Sequence, residues 1–102
     1  MTSSTVPRTV TLSARLEGAS LADLTGLVER ALLDLLPPGN GGAIASLASD
    51  VARPARIGDQ VTVSAAIDRS TRTLVFASAD VRRESDHQLL FVAQAVLKVP
   101  IR

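Results

Sequence analysis

The chain contains no cysteine, no tryptophan and no tyrosine, and only two of its 102 residues are phenylalanine. Without cysteine there are no disulfides, no thiolate nucleophile and no thiolate metal site. Without aromatics there is no platform on which exposed bases could stack, the usual means of holding single-stranded nucleic acid. Charge of one sign is also missing. Eleven basic and ten acidic residues are interspersed, for a formal net charge of +1, so no cationic stripe tracks a phosphate backbone and nucleic acid is excluded as an expected partner. No apolar run approaches the roughly eighteen residues needed to span a bilayer. The polar start Met1-Thr2-Ser3-Ser4-Thr5 lacks the basic flank and apolar stretch of a secretory leader. The expectation is a cytoplasmic protein without a membrane partner.

What is present is aliphatic. Residues of the hydrophobic class make up 46% of the chain, and with so few aromatics the core must be built from Ala, Val, Leu and Ile. A chain of this length supports one domain, residues 1–102, with residues 1–7 expected as a flexible N-terminus.

Val10, Leu12, Ala14 and Leu16 alternate with Thr9, Thr11, Ser13 and Arg15, the period of a half-buried strand. Glu17-Gly18-Ala19 ends it. Ser20, with Asp23 three residues later, forms a variant of the capping box and starts a helix near Leu21. The helix is expected to run to about Leu36, because Pro37-Pro38-Gly39-Asn40-Gly41-Gly42 cannot continue it. At 100° per residue, Leu21, Leu24, Val28, Ala31, Leu32 and Leu35 fall on one face and Asp23, Arg30 and Asp34 opposite. Glu29 belongs to neither group and lies at the margin of the apolar stripe, one turn after Thr25.

Ala43 to Arg53 reads as a strand of small residues, interrupted by a corner at Arg53-Pro54-Ala55-Arg56-Ile57-Gly58-Asp59. Three clear alternating runs follow, Val61–Asp68, Val75–Arg82 and Phe91–Val99, joined by short polar connections at 68–72 and 84–88. The fold class is α+β, in the order β-α-β-β-β-β, with one long helix lying across a curved antiparallel sheet of about five strands.

The corner Arg53-Pro54-Ala55-Arg56-Ile57-Gly58-Asp59-Gln60-Val61-Thr62-Val63, the hairpin Asp68-Arg69-Ser70-Thr71-Arg72-Thr73-Leu74-Val75-Phe76 and the order of elements resemble hotdog-fold thioesterases. Thr25-Gly26-Leu27-Val28-Glu29 with Leu32-Leu33-Asp34-Leu35-Leu36-Pro37 is most similar to the fluoroacetyl-CoA thioesterase-like branch. The resemblance implies hydrolysis of an acyl-CoA or acyl-carrier thioester. It implies no cofactor, coenzyme A entering only as part of the substrate, and no metal. It also implies a homodimer, or a dimer of dimers, with active sites at the subunit interface.

Carried over position by position, the branch's catalytic acid falls on Glu29. Its threonine falls near Ser20 or Leu21, and its histidine on Ser49 or Asp50. The family histidine is therefore absent. The sole histidine, His87, lies in the last hairpin. A carboxylate beside an apolar pocket can still activate water or attack a thioester carbonyl, which makes Glu29 the expected base or nucleophile, with Thr25, Ser49 and Asp50 as its catalytic companions. Strand alternation allows only one of Ser49 and Asp50 to face the helix, and Leu47 and Val51 side with Ser49. The alternative for Glu29 is a solvated residue pairing with Arg30 or Arg53. Ser20, Gly26, Arg53 and Arg56 are the expected substrate contacts, the arginines for the phosphates of the coenzyme A tail. Arg69, Arg72, Arg82 and Arg83 are further candidates for the same phosphates. A second reading is a hotdog ligand-binding or assembly module without catalysis.

Overall fold

The alternating runs fold into one antiparallel sheet in a computed structural model that describes residues 8–37 and 41–100. The elements are β1 (Thr9–Arg15), α1 (Leu21–Leu33), β2 (Ala43–Val51), β3 (Gln60–Ser70), β4 (Leu74–Arg83) and β5 (Leu89–Lys98). Strands lie in the order β1-β3-β4-β5-β2, and α1 packs against all five. This is the expected hotdog arrangement. The anticipated flexible N-terminus, and Pro38-Gly39-Asn40 of the turn after the helix, lie outside the described residues.

Register explains how so few large side chains fill the core. Ala65 pairs with Ala79 and Ala79 with Ala93, while Ala77 pairs with Ala95. All five are buried, giving the three central strands a shallow floor of methyl groups. Onto that floor α1 lowers Leu24, Val28, Ala31 and Leu32, each at most 2% exposed. A row of larger residues, Val63, Val81 and Phe91, closes one side. Small residues facing large ones interdigitate without voids. No polar or charged side chain is buried among the described residues.

The helix begins as expected. Ser20 is the N-cap, its hydroxyl accepting from the Asp23 amide at 3.1 Å while the Asp23 carboxylate accepts from the Ser20 amide at 3.0 Å. The Asp23 carboxylate also lies over Gly18, where a Cβ would collide with it. The end differs from expectation. α1 stops at Leu33, about one turn early, and Leu35 and Leu36 donate to Leu32 and Leu33 in a tightened turn. Pro37 disfavours helical backbone at Leu36, so the last turn closes on i→i+3 bonds. Both leucines remain buried. Leu21 departs from the apolar face, being 58% exposed at the first helical position.

β2 likewise ends at Val51 rather than Arg53. The amides of Ala52 and Arg53 both donate to the Leu90 carbonyl, at 2.9 and 3.2 Å, which draws the chain off the ladder before Pro54. Gly58, at φ 93°, turns the corner. Its amide donates to Leu16 at 2.7 Å, and Leu16 donates back to Asp59 at 2.8 Å. The corner is thus tied to the segment leading into the helix.

Candidate functional site

α1 has one open side. Ala22, Gly26, Glu29, Arg30 and Leu33 are exposed, on the arc of the helix that does not meet the alanine floor. Glu29 lies on this open side, and it forms no ion pair with Arg30 or Arg53 among the described residues. Thr25, one turn before Glu29, is half-buried at the boundary between the open and packed sides. Apart from its chain neighbours and the backbone of its own helix, Gly26 has no described atom within 4 Å of where a Cβ would stand. Strand packing therefore does not explain this glycine, whose cost in a helix interior is about 1 kcal/mol relative to Ala.

The remaining candidates are distributed as follows. Ser49 is half-buried on β2 and pairs with Ala93, a floor residue, so it faces the helix side of the sheet. Asp50 is exposed on the opposite side, across Val92 from Asp80. The sheet separates it from Glu29 within one chain. The Ser20 hydroxyl is engaged in the cap, donating to Asp23 at 2.6 Å. That bond, with the one from the Ser20 amide, holds the Asp23 carboxyl below its ordinary range. Arg53 and Arg56 are both exposed in the corner, and neither side chain forms a hydrogen bond among the described residues. The corner sits beside the chain entering α1, so both arginines belong to the end of the molecule where the helix starts.

Among the clefts formed by the described residues, three accompany this framework. The largest, about 740 Å³, lies on the outer face of the sheet and is lined by Thr11, Asp50, Ser64, Ser78, Asp80 and Gln94, among others. A second, about 420 Å³, adjoins it beside Phe76 and Val96. The third, about 570 Å³, lies at the far end of α1 between Leu36, Ile67 and Val99. Glu29 lines none of these. β2 bears on what could enclose it. Among the described residues the strand pairs only with β5, leaving its other edge without a strand. It carries neither lysine nor proline, the usual guards of an exposed edge, and it ends on Val51, which is 55% exposed.

Two polar clusters were not legible in the sequence. Glu84 accepts from Ser13 at 2.7 Å and from Thr62 at 2.9 Å, and these bonds lower its pKa. Arg83 joins Asp59, Asp86 and the Pro54 carbonyl. Both clusters bring together residues far apart in the chain, and no local periodicity marks them. His87, with φ 59°, is exposed in the turn between β4 and β5, its amide bonded to the Arg83 carbonyl.

The family model for the Thioesterase superfamily matches residues 19–90, from the helix start to the beginning of β5. No curated protein matches the chain by sequence. Among solved structures, zebrafish thioesterase superfamily member 2 is 18% identical, covering 95% of this chain and 78% of its own, with a TM-score of 0.81. A Streptococcus mutans protein solved with acetyl CoA is 12% identical, covering 93% and 83%, also at 0.81. A hypothetical thioesterase from Streptococcus pneumoniae solved with coenzyme A is 13% identical, covering 92% and 80%, at 0.79. At these identities the structural likeness establishes the hotdog fold.

Proposed function

Because the chain belongs to the thioesterase superfamily, we propose that it hydrolyses an acyl-CoA or acyl-carrier thioester with Glu29 as general base or nucleophile, in a homodimer formed along the free edge of β2. The observation that carries this reading is the superfamily match over residues 19–90, which includes the helix bearing Glu29. The two similar structures holding coenzyme A or acetyl CoA support that choice of substrate.

Glu29 lies on the side of α1 that its own sheet leaves open, beside the smooth surface of Ala22 and Gly26. A second copy added at β2 would cover that side and exclude water, strengthening every electrostatic contact inside. Thr25 and Ser49, both on the helix side, would orient the attacking water or the acyl group. The amides of Leu21 and Ala22 open the helix and have no preceding turn to bond to; about 10 Å of helix rise separates them from Glu29 on one chain, so it is those of the second copy that would receive the oxyanion formed at the thioester carbonyl. Arg53 and Arg56 would take the phosphates of the coenzyme A tail.

The replacement of the family histidine by Ser49 or Asp50 favours a second reading, a ligand-binding or assembly module without turnover. Purified protein assayed against short, medium and aromatic acyl-CoAs, with thiol release as readout, separates the two. Hydrolysis of any of them supports catalysis. Measurable acyl-CoA binding with no release from any of them would replace it with the module. Sedimentation at micromolar concentration is expected to give twice the monomer mass or a multiple of it, and a monomer would contradict the shared site.

A further inference from the structure

The guanidinium of Arg83 is the most heavily engaged charged group in the described structure. Its Nε donates to Asp59 at 3.2 Å, one terminal nitrogen to Asp86 at 3.0 Å, and the other to the Pro54 carbonyl at 3.2 Å. Each of its three nitrogens makes one of these bonds, using three of the five N–H donors of a guanidinium and holding the group against the corner. The same Asp59 oxygen that accepts from Arg83 also accepts from the Arg56 amide at 2.9 Å. Arg83 thereby fixes the corner at Pro54 and Asp59, on either side of Arg56, and ties both points to the turn between β4 and β5.

Arg53 immediately precedes Pro54, and Arg56 is the residue whose amide shares the Asp59 oxygen. We infer that Arg83 is a positioning residue, which holds the 53–59 corner rigid so that Arg53 and Arg56 are presented together to the phosphates of a nucleotide-bearing thioester. The inference rests on the thioester reading above. It extends that reading by assigning recognition of the nucleotide end to a clamp remote in sequence from the arginines it serves. Arginine suits the task because its planar fork reaches three acceptors in fixed directions, which a lysine ammonium on a flexible stem does not. Without the fork the corner keeps its backbone bonds to Leu16 and Leu90, and Gln60 beside it keeps the bond from the Glu84 amide, but the side-chain tie through Asp59 and Pro54 is lost. The corner backbone that carries Arg53 and Arg56 must then be ordered at the moment of binding.

The test compares Arg83→Gln and Arg83→Lys with the unaltered protein, and uses Lys98→Gln as a control. Lys98 is exposed at the opposite end of β5, and its replacement removes the same charge without touching the corner. Affinity for coenzyme A is measured by calorimetry, alongside affinity for S-acyl-pantetheine, which carries the same reacting end without the nucleotide. Ordering the backbone of even one corner residue at the moment of binding is worth about tenfold in affinity. Both Arg83 variants are expected to bind coenzyme A about tenfold more weakly, to bind S-acyl-pantetheine unchanged, and to show faster amide exchange at 55–59. Lys98→Gln is expected to match the unaltered protein. Equal coenzyme A affinity in the Arg83 variants, or a parallel loss for both ligands, overturns the positioning role and leaves the thioester reading standing. Failure of the unaltered protein to bind either ligand overturns both.

Discussion

Replacing Gly26 by alanine separates what the helix needs from what the proposed site needs. Gly26 is exposed in the interior of α1, and a Cβ built there meets nothing within 4 Å. The substitution removes the conformational freedom that glycine loses on folding and adds no clash, so it should stabilise the protein by about 1 kcal/mol. For a domain near this size that corresponds to a rise in melting temperature of about 4–8 °C. The new methyl group stands one turn before Glu29, on the open side of the helix. If an acyl thioester passes over that surface, kcat/KM should fall about tenfold, equivalent to roughly 1.4 kcal/mol of lost transition-state binding. Calorimetry and thiol release on one preparation, at one protein concentration, give both numbers. A lower melting temperature would show that the space beside Gly26 is occupied. A higher one with unchanged kcat/KM would show that no substrate crosses it.

Two further outcomes follow from the packing and the charges. Leu32 is fully buried against the alanine floor, and Leu32→Ala should cost about 2–5 kcal/mol in urea unfolding, whereas a loss under 1 kcal/mol would mean that the helix is not seated as described. Asp23, Asp59, Glu84 and Asp86 all have lowered pKa values, caused first by hydrogen bonds from Ser20, the Arg56 amide, Ser13 and the Gln88 amide respectively. A carboxyl group whose folded pKa is depressed contributes stability above its unfolded value and loses it as pH falls through the folded one. Melting temperature should therefore hold from neutrality down to the ordinary carboxylate range and decline below it, with a shallower decline in Glu84→Gln. A stability that rises on acidification would contradict these contacts.

Much of the architecture is legible because one side of the sheet is buried. Period-two alternation in Val61–Asp68, Val75–Arg82 and Phe91–Val99 marks which residues reach the core, and the Ser20–Asp23 pair marks the helix start. Alternation also separates Ser49 from Asp50. The ends of elements are less legible, because backbone bonds to distant partners decide them: Leu90 captures Ala52 and Arg53, and Pro37 tightens the turn at Leu35 and Leu36. The same reason hides the Arg83 clamp. In the sequence Arg83 is one arginine among several beside strand residues, and only the register of β3 against β4 brings it to Asp59. Gly26 is an expected substrate contact in the sequence, and the open space beside it shows that packing against the sheet does not require it.

The most direct measurement is thiol release from an acyl-CoA by Glu29→Gln beside the unaltered protein. Glu29 is exposed and carries no ion pair among the described residues, so the exchange should leave the melting temperature within about 2–4 °C, as for a surface substitution away from structural contacts. Turnover should fall by at least about a hundredfold, the typical contribution of a general base. Retention of full activity by Glu29→Gln would place the chemistry elsewhere in the molecule.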